Sequence, residues 1–420
     1  MAKKKQDEIE NEIDLDDDGI EVTVFELPDS LKEKRTVYPT LYRNIDTNIG
    51  FNTYNEKTAE LIRTNRGLLS GSTLALTGVS GAGKSTLANQ ILANMMRPFI
   101  MKKDERVKLY IFDTENGVSR ERWKNITNFV DEEIDRHVIF MGDISIDSLN
   151  EVTGEIIKGK KDMKKDKVVN YYGQEVEIYP PTFILVDAIS EMVPREFAKE
   201  GSEDSNMMSA TSARKMMSYM QRYKPHYVNY NINMVAIAHF ADKINFSGNM
   251  ATANPVREWK AIANNKKING GKPLQYATDV GIVLDRIIHP NKASLEKNNL
   301  SYLDANDTLS CALYKNRQGV EGTPIYLVRD GSGFNPVKSF VFECAQYDVI
   351  KSVGAYKSVE GYESKFRGAE IMNLFREEPT FRKCLFTGYD NVKKYVFEAN
   401  KKSDEDRRKI LDELSLLFED

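Results

Sequence analysis

The chain has 420 residues, of which 41% are hydrophobic and 29% charged, a composition typical of a soluble protein with one large or two modest domains. Its net charge of −4 excludes a protein whose whole surface is a basic nucleic-acid binder, so any nucleic-acid contact has to be local. Because no apolar run approaches a membrane span, no signal-peptide core begins the chain and the three cysteines are scattered, we expect a cytoplasmic protein with reduced thiols and no membrane partner.

The amino-terminal region has two parts. Its first 21 residues hold three lysines, then nine carboxylates and almost no apolar residue, which predicts a disordered acidic tail over residues 1–19, with an electrostatic arm as the functional alternative. From Ile20 to Glu26 the sequence alternates like a half-buried strand. This strand could add to a neighbouring subunit's sheet or lie at an edge of its own. We expect residues 20–66 to form an N-terminal oligomerisation segment.

The central region alternates short β-rich runs with helical segments. The runs are residues 107–112, 182–186, 233–238, 280–284, 309–314 and 325–328. Such alternation predicts an α/β core over residues 67–335, with a largely parallel sheet covered by helices on both faces. A lysine-rich stretch, 158–167, followed by a hairpin pattern to residue 178, indicates an inserted surface excursion, which could instead meet nucleic acid or a partner. Beyond residue 335 the pattern becomes helical, including residues 369–375 and 406–418, and predicts a small C-terminal domain over 336–420.

A glycine-rich loop between an apolar run and an amphipathic segment predicts a nucleoside triphosphate site. It has the spacing G-x-x-x-x-G-K-S-T, formed by Gly78, Val79, Ser80, Gly81, Ala82, Gly83, Lys84, Ser85 and Thr86. In such a P-loop the backbone N–H groups and the helix N-terminus cradle the phosphates. The lysine reaches the terminal phosphates, and the Ser85 hydroxyl is offered to Mg²⁺.

Three further polar groups follow apolar strands. Asp187 and the pair Asp113-x-Glu115 end two of them, and His239 follows a third. Because ligands bind at the carboxyl ends of parallel strands, we expect these groups to converge on one sheet edge with Lys84. Hydrolysis needs a second carboxylate for the metal and a group that activates water, and these acids could supply both.

The stretch from residue 240 to 272 has six basic residues against two acidic ones, with Phe246 and Trp259 among them. Its small and polar composition predicts a mobile loop. Basic and aromatic side chains together suit single-stranded nucleic acid, since cations meet phosphates and bases stack on rings. The candidate phosphate contacts are Arg257, Lys260, Lys266 and Lys267.

The order of these motifs resembles the RecA family of DNA strand-exchange recombinases, in particular its phage UvsX type. The resemblance runs from about Arg35 into the C-terminal domain. It includes Leu68-Leu-Ser-Gly71 before the P-loop, Gly270-Gly271 after the basic loop, and Tyr314-Lys315-Asn316-Arg317. It implies a RecA-like P-loop ATPase core with a small C-terminal α/β domain.

The same resemblance implies roles for individual residues. Lys84 and Ser85 would hold phosphate and Mg²⁺, Asp187 would complete the metal site, and Glu115 would be the general base. His239 would sense the γ-phosphate, and Arg122 lies near the position that stacks on adenine. Residues 194–208, with Met207 and Met208, and residues 240–272 would be two DNA loops. Lys315 and Arg317 would reach a neighbour's γ-phosphate.

The activity implied is that of a DNA-dependent ATPase acting in recombination, repair and recombination-dependent replication. Its cofactors would be ATP and Mg²⁺. Its partners would be single-stranded DNA, homologous duplex DNA, further copies in a helical filament, and mediator and single-strand-binding proteins. Two alternatives stay open, namely a hexameric replicative helicase with the same core and a P-loop small-molecule kinase.

Overall fold

The structure is a computed structural model, and it describes residues 34–55, 57–115, 117–200, 205–242, 266–268, 271–288, 303, 307–321, 324–331, 333–398, 401, 405–406 and 408–410. The strands are β1 Val37–Tyr38, β2 Phe51–Tyr54, β3 Leu61–Asn65, β4 Leu68–Leu69, β5 Thr73–Gly78, β6 Lys108–Asp113, β7 Val138–Phe140, β8 Asp166–Val169, β9 Glu175–Ile178, β10 Thr182–Asp187, β11 Ile232–Asp242, β12 Lys266–Ile268, β13 Val280–Ile288, β14 Asp307–Asn316, β15 Pro324–Asp330, β16 Gly333–Phe334, β17 Ile350–Val353 and β18 Tyr356–Val359. The helices are α1 Arg43–Asn48, α2 Lys84–Ile100, α3 Arg120–Thr127, α4 Asp131–His137, α5 Ile146–Lys161, α6 Arg195–Glu200, α7 Ser205–Tyr230, α8 Gly271–Ala277, α9 Pro336–Gln346, α10 Ile371–Glu377, α11 Pro379–Val392 and α12 Lys394–Glu398.

A 10-stranded central sheet organises the chain, in the order β16-β15-β14-β13-β5-β11-β10-β6-β7, with β12 paired to β11. The strands from β13 to β7 are parallel to one another, whereas β14, β15, β16 and β12 are antiparallel to their neighbours. Every residue of β5 and β10 is buried, as expected for parallel strands covered on both faces. The prediction of an α/β core with a largely parallel sheet is confirmed.

Alternate residues of the central strands point into two separate cores. Leu74 and Leu76 of β5 pack with α2, whose Leu87 and Ile91 are fully buried. Ala75 faces the opposite side, where α5 and α7 contribute their apolar residues. This arrangement follows from the period of two along a strand.

The six predicted strands all occur; five are longer than predicted, and β6 is shifted by one residue at the same length. The structure differs at β11, which does not end at His239 but continues to Asp242 and pairs with β12. The insertion forms the β8–β9 hairpin, as predicted. Residues 195–200 and the stretch from Ser205 onwards are helical, so the segment 194–208 is not a simple loop. The predicted tail 1–19, residues 20–33, most of 240–272 and most of 406–418 lie outside the described residues.

The two ends of the described chain pack together on the core. The strand β1 pairs with β4, and the helix α1 lies against β15 and α9. A fully buried carboxylate, Glu343, joins them, since it accepts hydrogen bonds from Asn44, Asn48 and Tyr389. Lys393, also fully buried, places its ammonium 3.5 Å from the same carboxylate. Whether residues 20–66 also mediate oligomerisation stays a prediction. In the described part of the chain, every helix is too short or too polar to traverse a bilayer.

Candidate functional site

The glycine-rich loop, for which the sequence predicts a P-loop, connects the last residue of β5 to the first residue of α2. Gly78 has a φ of +151°, and a Cβ there would lie 2.1 Å from the main-chain oxygen of Leu284 on β13. Gly83 has a φ of +87° and packs against the ring of Phe334, where a Cβ would approach to 2.9 Å. Both positions therefore require glycine, because an L side chain would clash as well as strain the backbone. The glycines thus fix the loop as an open turn at the N-terminus of α2.

Lys84 folds its side chain back over this loop. Its ammonium donates to the main-chain oxygens of Val79 at 2.9 Å and Gly78 at 3.3 Å, and the residue is 5% exposed. Burial lowers the pKa of Lys84, and the charges of Asp187 and Glu115 partly oppose that shift. A cation held by carbonyl oxygens beside a helix N-terminus suits an incoming phosphate chain.

Asp187 ends β10 beside the start of α2. The residue is 3% exposed, and burial raises its pKa to about 6, while a hydrogen bond with the Ser85 side chain opposes the shift. Its Oδ1 atom is buried without a hydrogen-bond partner among the described residues. An unsatisfied carboxylate oxygen next to a hydroxyl fits Mg²⁺, which takes few protein ligands and keeps water or phosphate oxygens. The described residues contain no cluster of three or more His, Cys, Asp or Glu side chains.

Glu115 and His239 come together although 124 residues separate them. The Nε2 atom of His239 lies 2.7 Å from Oε1 of Glu115. The strand register brings them there, because His239 pairs with Gly78 while Asp187 pairs with Asp113, two residues before Glu115. The Glu115 side chain is 47% exposed, so water can reach its carboxylate. The structure therefore has the expected convergence of four side chains on one edge of the sheet, namely Lys84, Asp187, Glu115 and His239.

A pocket of about 500 Å³ lies beside the first turn of α2. Arg122 lines it, as does Thr86 of the P-loop motif. The remaining wall residues are Ser119, Glu121, Asn125, Ile126, Arg329, Asp330, Gly331 and Gly333. Trp123, the aromatic next to Arg122, is fully buried and donates to Asn89 Oδ1 at 2.7 Å. The planar guanidinium of Arg122 is therefore the side chain of this pair that a base could stack on.

Lys315 and Arg317 lie at the opposite edge of the sheet. Lys315 pairs with Gly281 near the start of β13, and its ammonium donates to the main-chain oxygen of Gln275. Arg317 lies 3.2 Å from Asp279 and donates to the main-chain oxygen of Tyr276 at 2.8 Å. Because Gly281 also pairs with Ala75 of β5, Lys315 lies level with Ala75, roughly 10 Å before Gly78 at about 3.3 Å per residue. Arg317 lies further back, since its N–H donates to the main-chain oxygen of Asp279, and the N–H of Asp279 donates to that of Thr73, roughly 17 Å before Gly78. Both cations therefore lie away from the glycine-rich loop of their own chain.

The residues predicted to contact DNA are described only in part. Met207 and Met208 belong to the first turn of α7, and Met208 is half-buried. Lys266 and Lys267 open β12, where they pair with Asp242 and Ala241. Arg257 and Lys260 lie outside the described residues.

Two features of the site escaped the sequence reasoning. Thr114 fastens β6 to β10, because its N–H donates to the main-chain oxygen of Asp187 at 2.6 Å and its hydroxyl accepts from the N–H of Ala188 at 2.9 Å. The sequence signal for this role was the position of Thr114 between the two acids Asp113 and Glu115. Phe334 packs on Gly83 from a strand 251 residues away, which no local pattern indicates.

A scan against protein-family models finds no matching family, and a search of curated proteins finds no matching relative.

Proposed function

We propose that this protein is an ATP-dependent DNA recombinase, which assembles on single-stranded DNA as a helical filament and exchanges strands with a homologous duplex. The observation that carries the proposal is the contact of 2.7 Å between Glu115 and His239, at the sheet edge that also holds Lys84 and Asp187. A carboxylate able to activate water, hydrogen-bonded to a side chain that can report on a phosphate, is what a switched ATPase requires.

The chain's own groups suit phosphoanhydride hydrolysis. The backbone of the P-loop and the Lys84 ammonium would bind the phosphates, and Ser85 with Asp187 would hold Mg²⁺. When bound, the metal ion neutralises charge on the phosphate oxygens. Glu115 would accept the proton of the attacking water, since its carboxylate is exposed at the site. His239 would orient that carboxylate through the hydrogen bond between them.

The path of β11 supports a link between this site and DNA. Directly after His239 the strand leaves the parallel core and pairs with β12, which carries Lys266 and Lys267. The basic region between them is the segment for which the resemblance implies DNA contacts. A ligand on that region would therefore act on the strand that positions the Glu115 partner.

The location of Lys315 and Arg317 supports assembly. Since these cations lie towards the amino edge of the sheet, away from their own glycine-rich loop, a phosphate that they contact would belong to a neighbouring subunit. Contacts of one edge against the opposite edge of the next copy are heterologous, and they produce open filaments or closed rings.

Electron microscopy of the full chain with ATP and single-stranded DNA tests the proposal. We expect helical filaments, and we expect Lys84→Ala to abolish both ATP hydrolysis and ATP-dependent DNA binding because the terminal phosphates lose their main cation. Closed rings would favour the helicase alternative. A monomer that passes phosphate to a small acceptor would favour the kinase, and turnover unchanged by Lys84→Ala would remove the P-loop from the mechanism.

A salt titration tests the DNA surface separately. Changing the four basic residues of the long segment to Gln should weaken single-strand binding and flatten its dependence on salt, while hydrolysis without DNA persists. These residues are Arg257, Lys260, Lys266 and Lys267. Four exposed lysines beyond residue 335, changed in the same way, provide the matched control, namely Lys351, Lys365, Lys383 and Lys401. A salt slope equal to that of the control would show that the segment does not meet phosphates.

A further inference from the structure

An exposed cluster of lysines lies at the amino edge of the sheet, across from the P-loop. Its members lie in the turn after α2, at the end of α5 and in the residues just before β8. We define the lysine surface as Lys102, Lys103, Lys161, Lys164 and Lys165, all of them exposed. The nucleotide site described above uses none of these residues.

Arg106 holds the two halves of the lysine surface together. Its guanidinium pairs with Asp104 at 2.7 Å, one residue after Lys103, and with Asp166 at 2.9 Å, one residue after Lys165. It also donates to the main-chain oxygen of Lys164 at 3.3 Å. The lysines before β6 and those before β8 are therefore neighbours on one surface.

Within the described part of the chain, the lysine surface is not neutralised. Its five members form no ion pair with a described residue, and Lys165 only covers the ring of Tyr179 at 4.9 Å. Nearby acids are already occupied, since Asp166 binds Arg106 and Glu175 binds Lys167. The other two exposed acids of the hairpin region, Asp162 and Glu177, are outnumbered by the five lysines.

The opposite charge is found in the first 33 residues of the same chain. They contain twelve carboxylates and four lysines, while the whole chain has a net charge of −4, so the remainder is net basic. Eight of these carboxylates fall within residues 7–18, which we term the acidic segment. That remainder includes the lysine surface.

The described chain begins on the hairpin that borders the lysine surface. The hydroxyl of Thr36 donates to the main-chain oxygen of Val169 at 3.0 Å, and the N–H of Tyr171 donates to that of Arg35 at 3.1 Å. Four strand residues, about 13 Å, separate Val169 from Lys165. The 17 Cα-to-Cα steps from residue 18 to residue 35 can span up to about 60 Å. The acidic segment can therefore reach the lysine surface of its own chain.

We propose that the acidic segment docks on the lysine surface of the same chain and occupies it as an internal polyanion. The tether gives the segment a local concentration on the order of millimolar, so many weak charge contacts suffice. Because these charges are exposed, the contact is screened over about 8 Å at physiological ionic strength and weakens as salt rises. The docked segment keeps foreign polyanions from these lysines. This proposal does not depend on the P-loop activity.

Lysine reactivity in the full chain tests the proposal, measured residue by residue by mass spectrometry after brief acetylation at low salt. The variant changes Asp14, Asp16, Asp17 and Asp18 to Asn, which keeps their shape and removes their charge. We expect acetylation of Lys161, Lys164 and Lys165 to rise about threefold or more, towards the wild-type rate in about 0.5 M salt. Lys351, Lys365 and Lys383 should not change, which also shows that the variant is folded.

Zero-length coupling with a carbodiimide gives the direct readout, because it joins carboxylates to amines that touch. We expect amide links between the acidic segment and the lysine surface in the monomer band. Equal acetylation rates in wild type and variant would overturn the proposal, as would links found only between two chains. Lysines that become protected only after single-stranded DNA is added would overturn it too, and would make nucleic acid the occupant.

Discussion

The buried pair of Glu343 and Lys393 allows a stability prediction that is independent of function. Both side chains have zero exposure, and their charged atoms lie 3.5 Å apart. Removing one partner of such a pair costs about 3–5 kcal/mol, because the remaining charge is left in a medium that solvates it poorly. In Lys393→Met, Glu343 keeps its hydrogen bonds from Asn44, Asn48 and Tyr389. We therefore expect the lower end, about 3 kcal/mol.

Hydrogen exchange of the α9 and α11 amides measures this cost where it arises. A loss of about 3 kcal/mol makes the opening of these helices on the order of 10² times more frequent. The double variant Lys393→Met/Glu343→Gln should recover much of the protection, because the amide keeps an acceptor oxygen but carries no charge. Lys394→Met is the matched control, since its pair with Glu398 is exposed and such pairs contribute about 0.5 kcal/mol. Exchange as slow in Lys393→Met as in Lys394→Met would refute the reasoning, as would a double variant that exchanges faster than the single one.

The proposed ATPase yields further expectations. Glu115→Gln should keep ATP binding and filament formation but slow hydrolysis about 10²- to 10⁴-fold, measured by phosphate release; a wild-type rate would place the base elsewhere. The pKa of Asp187, raised to about 6, sets a pH dependence for the metal-assisted affinity for a fluorescent ATP analogue. The ionised carboxylate holds the cation, so the affinity should be full above about pH 7 and fall about tenfold by pH 5 as the group protonates. Asp187→Asn should bind more weakly with no such fall, and a wild-type profile equally flat would exclude this carboxylate from the metal site. Subunits with Lys315→Ala/Arg317→Ala should bind ATP but hydrolyse little, and mixing them with Glu115→Gln subunits should restore some turnover where intact sites face each other. No recovery at any ratio, in filaments shown to contain both variants, would count against action across the interface.

The sequence was most informative where local chemistry dictates structure. The glycine-rich turn between β5 and α2 and the strand ending in Asp187 could be predicted because glycine geometry and apolar runs are local signals. The convergence of Asp187 with Glu115 also followed from a general rule for parallel sheets. None of these required knowledge of which strands are neighbours.

The remaining features depend on contacts between distant parts of the chain. The pairing of β12 with β11 carries the strand past His239, and periodicity within either segment does not encode that partner. Trp123 is fully buried because α3 packs on α2, and no local pattern around Trp123 encodes that contact. The edge on which Lys315 lies depends on the antiparallel course of β14, which strand order decides. Tertiary context overrides local pattern in each case.

The continuity of β11 has an energetic consequence. One uninterrupted strand carries His239, which contacts Glu115, and the residues that pair with β12. Consider a ligand that binds the β11–β12 ribbon and favours one position of the His239 side chain. By thermodynamic reciprocity, the affinity of the ribbon for this ligand must change when His239 changes position. If the proposed nucleotide also favours one position of His239, its binding and that of the ribbon ligand share one coupling free energy, typically about 1–3 kcal/mol between linked sites. A substitution in the ribbon that weakens this coupling would leave each ligand bound, but the binding of one ligand would no longer change the affinity for the other.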